Sequence, residues 1–207
     1  MGRLKGFEYT YPASVDDLLL IEAMRQNLAG LKVPVLLHVD SKQEYLFFSF
    51  LDGTGHDRDK PELGAPSTIS HLYDQVRAAQ MDNDYRVGSS YSPGIGSQYN
   101  PTVRAVDGIF ATTWDVGIQS AYLELSAQAK RWVDADPDAQ IRFVGIGYSR
   151  GAVQAAGLAR LVDQFGILSP AGLAFGRDEN GNISVSSRGG VLVPPGQIPQ
   201  ASLLLDP

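Results

Sequence analysis

The stretch Ile141-Arg-Phe-Val-Gly-Ile-Gly147-Tyr-Ser149-Arg150-Gly151-Ala152-Val-Gln-Ala155-Ala156 decides the reading of this 207-residue chain. Its opening run is apolar and short enough for a buried strand, and Ala152 to Phe165 has helical spacing that stops at Gly166. Between them sits Gly147-Tyr148-Ser149-Arg150-Gly151, a GxSxG. A serine on so tight a strand-to-helix turn has a strained backbone, so the residues two positions either side of it must be small. Its hydroxyl then projects above the sheet, and the Arg150 N–H, at the start of a helix, points where an oxyanion would develop. With 22 glycines in the chain, about 0.2 such five-residue matches arise by chance. The strand ahead and the small-residue helix behind give this one its weight. Two other readings stay open: an ordinary turn with a capping serine, and a dinucleotide turn built on Gly145-Ile-Gly147. The second lacks the third glycine of GxGxxG, where Arg150 stands, and Asp163 falls inside the helix.

Outward from this point, strands and helices alternate. Glu44–Leu51 is an aromatic-rich run bounded by Asp52-Gly53 and reads as a buried strand. Tyr85–Tyr91 reads as a second strand, ended by Ser92-Pro93-Gly94. Pro66–Met81 carries weak helical spacing, and Thr112–Val133 the longest, through Trp114, Ile118, Tyr122, Leu125, Ala129 and Trp132 or Val133; Trp114 and Trp132 fit a core better than a ligand platform. Ser14 caps a helix that Gly30 stops. Val33–Val39 is either strand or packed connection. Residues 166–200, rich in Gly, Pro and Ser, hold a hairpin turn at Glu179-Asn-Gly-Asn182 and read equally as a surface hairpin or an entrance lid. Ala201–Leu205 reads as a short buried strand leading into Asp206-Pro207. The expected fold is α/β, a three-layer, mostly parallel sheet of the α/β-hydrolase type, incomplete at its C-terminus. Residues 1–40 read as a helical extension and 41–207 as the catalytic domain.

Composition narrows the function. The net charge is −6, which disfavours a binder of nucleic-acid backbones. There is no cysteine, which removes disulfides, thiolate nucleophiles and cysteine-held zinc. No apolar run approaches the roughly 20 residues of a membrane span, and the first residues lack a leader's apolar core. The expectation is a protein made in the cytoplasm and exported, if at all, by a route that reads no leader.

A second glycine-rich turn, Asp52-Gly53-Thr54-Gly55, closes the first strand and can offer backbone N–H groups to an oxyanion. Asp52, His56, Asp57 and Asp59 match neither a calcium loop nor a zinc pair, so no metal is expected there. Asp134-Ala-Asp136-Pro-Asp138 reads as a solvated turn. Taken in order, Phe-Leu-Asp52-Gly53-Thr54-Gly, Tyr91-Ser-Pro93-Gly94-Ile-Gly96 and Gly147-Tyr-Ser149-Arg150-Gly151-Ala152 with Ala159-Arg160 resemble the first class of type VI secretion phospholipase effectors. That resemblance covers roughly residues 45–207 through ordered local motifs. It implies an α/β-hydrolase acting on phospholipid esters, delivered into competing cells without a signal peptide. The secretion apparatus and an immunity protein would be its partners, contact with membranes would be peripheral, and no cofactor would be needed.

Carried over residue by residue, the resemblance makes Ser149 the nucleophile, with the Arg150 N–H and that of Gly53 or Thr54 holding the oxyanion. Asp206, at the end of its strand, is the expected triad acid; as a bland alternative it is a turn aspartate before proline. The base is the difficulty. His38, His56 and His71 all precede Ser149, whereas α/β-hydrolases run serine, acid, histidine. The expectation is that the chain stops short of its base, with His56, beside the glycine-rich turn, the weaker alternative. A hydrolase-like scaffold that binds without catalysis is the competing function, and a dinucleotide-binding domain the remote one.

Overall fold

A computed structural model describes residues 14–30, 35–60, 66–81, 85–95 and 114–206. By internal contacts the chain divides into Met1–Val35 and Leu36–Pro207. In the first unit, α1 (Val15–Ala29) begins as its sequence predicts. Ser14 Oγ accepts the Asp17 N–H at 3.1 Å while Asp17 Oδ2 accepts the Ser14 N–H at 2.9 Å, a reciprocal cap that satisfies two otherwise unpaired donors. Residues 1–13 lie outside the described part.

The second unit is built on β1 (Glu44–Leu51), α2 (Thr68–Met81), β2 (Val87–Ser92), α3 (Trp114–Ala135), β3 (Gln140–Tyr148) and α4 (Arg150–Phe165). Four short strands follow: β4 (Ile167–Leu168), β5 (Ala174–Arg177), β6 (Ile183–Ser186) and β7 (Val191–Val193). Last comes β8 (Gln200–Leu205). The central sheet has the order β2-β1-β3-β8 and every pair in it is parallel. Period-two alternation splits β1 between two cores. Tyr45, Phe47 and Leu51 join Ile141 and Phe143 of β3 beneath Ile118, Tyr122, Leu125 and Ala129 of α3 and Leu158, Leu161 and Val162 of α4. Phe50 and Ile146 pack on the opposite face against Ile69 and Tyr73 of α2. Helices therefore cover both faces: the fold is α/β with a parallel sheet in three layers.

Right-handed crossovers explain which helix goes where. From β1 the chain steps one way to β2 through α2; it then returns past β1 to β3 through α3, and onward to β8 through α4. Reversing the direction of travel reverses the face, so α2 lies opposite α3 and α4. The reversal falls between β1 and β3, and it is outside the C-terminal ends of the strands at such a point that open parallel sheets bind ligands.

Other expectations fare unevenly. Trp132 is core, its Nε1 donating to the Tyr85 carbonyl at 2.8 Å; the side chain of Trp114 lies outside the described part, as does Gly96. Residues 35–39 form bends and a turn, not a strand. Segment 166–200 forms two small antiparallel ladders, β4 with β7 and β5 with β6. Ile183, Val185 and Ile198 enter the larger core, while Gly181, at φ 78°, makes the turn after Glu179-Asn180. Strand β8 is present but not buried as expected: Leu203 and Leu204 are 45% and 40% exposed. Consecutive strand residues face opposite sides, so β8, at the sheet's edge, is thinly covered on both.

Candidate active site

The register of the sheet puts the site together. Leu51 pairs with Gly147 and with Ser92, and Tyr148 pairs with Leu205. The residues that follow these positions, Asp52, Ser149, Pro93 and Asp206, therefore share the C-terminal edge of the sheet. Ser149 has φ 52° and ψ −126° and stands directly before α4. Its N–H donates to the Leu205 carbonyl at 2.8 Å, which ties the turn to the strand that carries Asp206. Ser149 and Asp206 (φ 47°) are the two non-glycine residues with positive φ among those described. Such backbone costs of order 1–3 kcal/mol and persists where the surroundings dictate it. Here they do. A Cβ on Gly151 would lie 2.2 Å from the Leu51 carbonyl oxygen, and one on Gly147 would lie 2.3 Å from that of Gly151.

The glycine-rich turn after β1 lies beside this elbow. Arg150 Nε donates to Thr54 Oγ1 at 2.5 Å, and the His56 ring meets the Tyr148 ring edge-on with centroids 6.2 Å apart. Gly53 and Thr54 were the two candidates for the second oxyanion donor, and they are not equivalent. The Gly53 N–H donates to Asp52 Oδ1 at 2.7 Å, so it is already engaged. Asp52 itself is 1% exposed. Its other oxygen accepts from Tyr91 at 2.7 Å and from Ser67 at 2.6 Å. Burial, then the bond to Asp52, pushes the Tyr91 hydroxyl pKa far above its ordinary value, so it stays a donor. The sequence places Asp52 at the head of the glycine-rich turn and in an unconvincing metal set, and gives its side chain no role of its own. Its partners lie 15 and 39 residues away, so no local pattern announces them.

The histidines are dispersed. His38 Nδ1 lies 2.8 Å from Glu44 Oε2, His71 is exposed on α2, and only His56 touches the elbow. No cluster of three or more metal-ligating side chains occurs among the described residues. Beside the site opens a cleft of about 310 Å³, lined by Tyr91, Pro93, Ile95, Val116, Gly117 and Gln154 among others. Gln154, one turn beyond Ser149, is buried there against Gly117, where a Cβ would come within 2.6 Å of its Nε2.

An uncharacterized protein from Pseudomonas aeruginosa matches at 16% identity and a TM-score of 0.34, over 76% of this chain and 28% of that one. Lysin B from Mycobacteriophage D29 matches at 22% identity and a TM-score of 0.25, over 55% of this chain and 34% of that one. The chain thus spans about a third or less of each solved structure, and likeness at these scores carries no argument. No curated protein matches. The model of the family described as "T6SS, Phospholipase effector Tle1-like, catalytic domain" matches residues 47–177. That span runs from β1 through β5, holding the glycine-rich turn and the serine elbow and leaving Asp206 outside. Since it takes in well over half the chain, this protein belongs to the Tle1-like family of type VI secretion phospholipase effectors, within their catalytic domain.

Proposed function

We propose that this chain is the catalytic part of a serine-dependent lipase that hydrolyses acyl esters of phospholipids. The observation that carries the reading is the strained elbow: Ser149 at positive φ between a parallel strand and a helix, with Asp206 at the end of the neighbouring strand. In this scheme Ser149 Oγ attacks the ester carbonyl. The N–H groups of Arg150 and Thr54 hold the oxyanion, the alcohol leaves with a proton, and water then releases the fatty acid from the acyl-enzyme. Asp206 orients the imidazole that takes and returns the proton. In the order serine, acid, histidine that imidazole is none of the three in this chain, and His56 is the competing residue. The cleft beside the elbow receives the acyl chain.

Family membership supports a phospholipid substrate and export through a type VI apparatus; an immunity protein as partner belongs to the same proposal. None of the described helices is long and apolar enough to cross a membrane, which suits peripheral access to lipid. Residues 41–207 are read as the catalytic domain and 1–40 as an extension.

The test is release of fatty acid from phospholipid vesicles, in a buffer containing imidazole as a diffusible base. Hydrolysis by the chain and none by Ser149→Ala is the expected result. Equal hydrolysis by both would remove Ser149 from the mechanism, and unaltered vesicle binding by Ser149→Ala without hydrolysis by either would favour the binding scaffold.

A further inference from the structure

We propose that Asp52 is a positioning residue for the oxyanion hole: its buried carboxylate fixes the glycine-rich turn so that the Thr54 N–H faces Ser149. This assignment rests on the proposed serine mechanism and deepens it.

A buried carboxylate is costly unless hydrogen bonds replace the water it loses. Asp52 receives three, from the Gly53 N–H, the Tyr91 hydroxyl and the Ser67 hydroxyl. Each donor belongs to a different part of the fold: the turn itself, strand β2, and the cap of α2. Ser67 Oγ also accepts the Ser70 N–H at 3.0 Å, so the carboxylate is fixed to the start of α2, the end of a helix that favours negative charge. The Tyr91 hydroxyl in turn accepts the Arg58 N–H at 3.0 Å, which holds the far side of the loop.

The turn is held from the other side by the elbow. A Cβ on Gly53 would fall 2.3 Å from the Tyr148 ring, so the turn lies directly against the residue that precedes the nucleophile. Arg150, which follows the nucleophile, bonds Thr54 Oγ1. The Gly53 carbonyl accepts the His56 N–H at 3.0 Å, and the Gly94 N–H donates to the His56 carbonyl at 2.8 Å. Asp52 thus joins the turn, β2 and α2 through its carboxylate, and the proposed mechanism gives it no chemical step. Its carboxylate also decides which amide serves. With the Gly53 N–H held on Oδ1, the donor offered to substrate is that of Thr54. An asparagine would keep the shape but present an NH2 group toward hydroxyl and amide donors.

An oxyanion donor acts on the transition state more than on bound substrate, so misplacing it lowers kcat and leaves KM nearly unchanged. Loss of one donor costs about 10²–10³-fold. The experiment compares an aryl ester with its thionoester in imidazole-containing buffer, because sulfur accepts hydrogen bonds poorly and draws little from the hole. Asp52→Asn is expected to lower ester kcat about 10²-fold and Tyr91→Phe about tenfold, each with KM within about twofold. The ester-to-thionoester rate ratio should fall in proportion. Tyr91→Phe and Ser67→Ala keep the question open to test should Asp52→Asn fold poorly. A loss of folded protein alone would depress both rates equally; an unchanged ratio in Tyr91→Phe and Ser67→Ala, with Ser149→Ala inactive, would overturn this assignment while sparing the mechanism. Ester hydrolysis indifferent to Ser149→Ala would overturn the mechanism, and the assignment with it.

Discussion

Individual residues hold the site in backbone that only particular neighbours permit. Ser149 keeps φ 52° because Gly147 and Gly151 let the strand, the helix and the β1 carbonyls close around it. A methyl group at Gly151 would press on backbone oxygen at 2.2 Å, which no rotamer can relieve. Gly151→Ala should therefore lower stability by about 1–3 kcal/mol and shift the elbow enough to remove most activity. Thermal melts and ester hydrolysis check this; a variant that melts and turns over like the parent would contradict it. Asp206→Asn should cost about 10²–10⁴-fold in kcat if it orients the imidazole. His56→Ala should leave the imidazole-supported rate within about threefold if the base is not His56. The serine elbow was legible in sequence because glycine spacing is a local demand. The Asp52 network was not, because residues 52, 67 and 91 meet only when the sheet and α2 are assembled.

At the scale of elements, hydrophobic period carried most of the reading. Strand β1 begins and ends where its aromatic run does, and α4 starts two residues before the expected Ala152 and ends at Phe165. From Ile118 to Trp132 the α3 stripe predicted from spacings of three and four is the buried stripe. The turn at Glu179-Asn180-Gly181-Asn182 marks the β5–β6 hairpin, and what periodicity misses is short or at the edge. Strands β4 to β7 have two to four residues each, too few for any period to register. Strand β8 reads as buried because it is apolar, but composition does not say whether a neighbour covers a strand. A core test belongs here. Leu158, on α4, is fully buried between the helix layer and the sheet, so Leu158→Ala should lose about 2–5 kcal/mol. Urea unfolding measures this, and a loss below 1 kcal/mol would mean that α4 packs less tightly than described.

At the scale of the whole molecule, charge and exposed surface set the behaviour in solution. Glu44 is buried at the start of β1, where His38 and Arg142 surround it. Burial alone would raise its pKa, but the His38 N–H and ring and the Arg142 guanidinium together bring it from 4.5 down to about 2. A depressed carboxylate pKa contributes stability that is complete above 4.5 and is lost as pH falls toward 2. The parent chain should therefore lose melting temperature more steeply than Glu44→Gln across that window, with the two curves parallel above it. Coincident slopes would remove the ion pair from the acid response. The edge at β8 presents Leu203 and Leu204 to solvent, and uncovered edges invite pairing with other chains. Leu204→Lys should reduce concentration-dependent light scattering, and unaltered scattering would show that association proceeds elsewhere.

The proposed hydrolysis depends on Ser149 being the nucleophile. The most direct measurement is to treat the chain with a fluorophosphonate ester in imidazole-containing buffer and map the adduct by peptide mass spectrometry. The prediction is a single adduct on Ser149, formed more slowly in Asp52→Asn and absent in Ser149→Ala. An adduct on another residue, or none on Ser149 in the folded parent chain, would contradict the account.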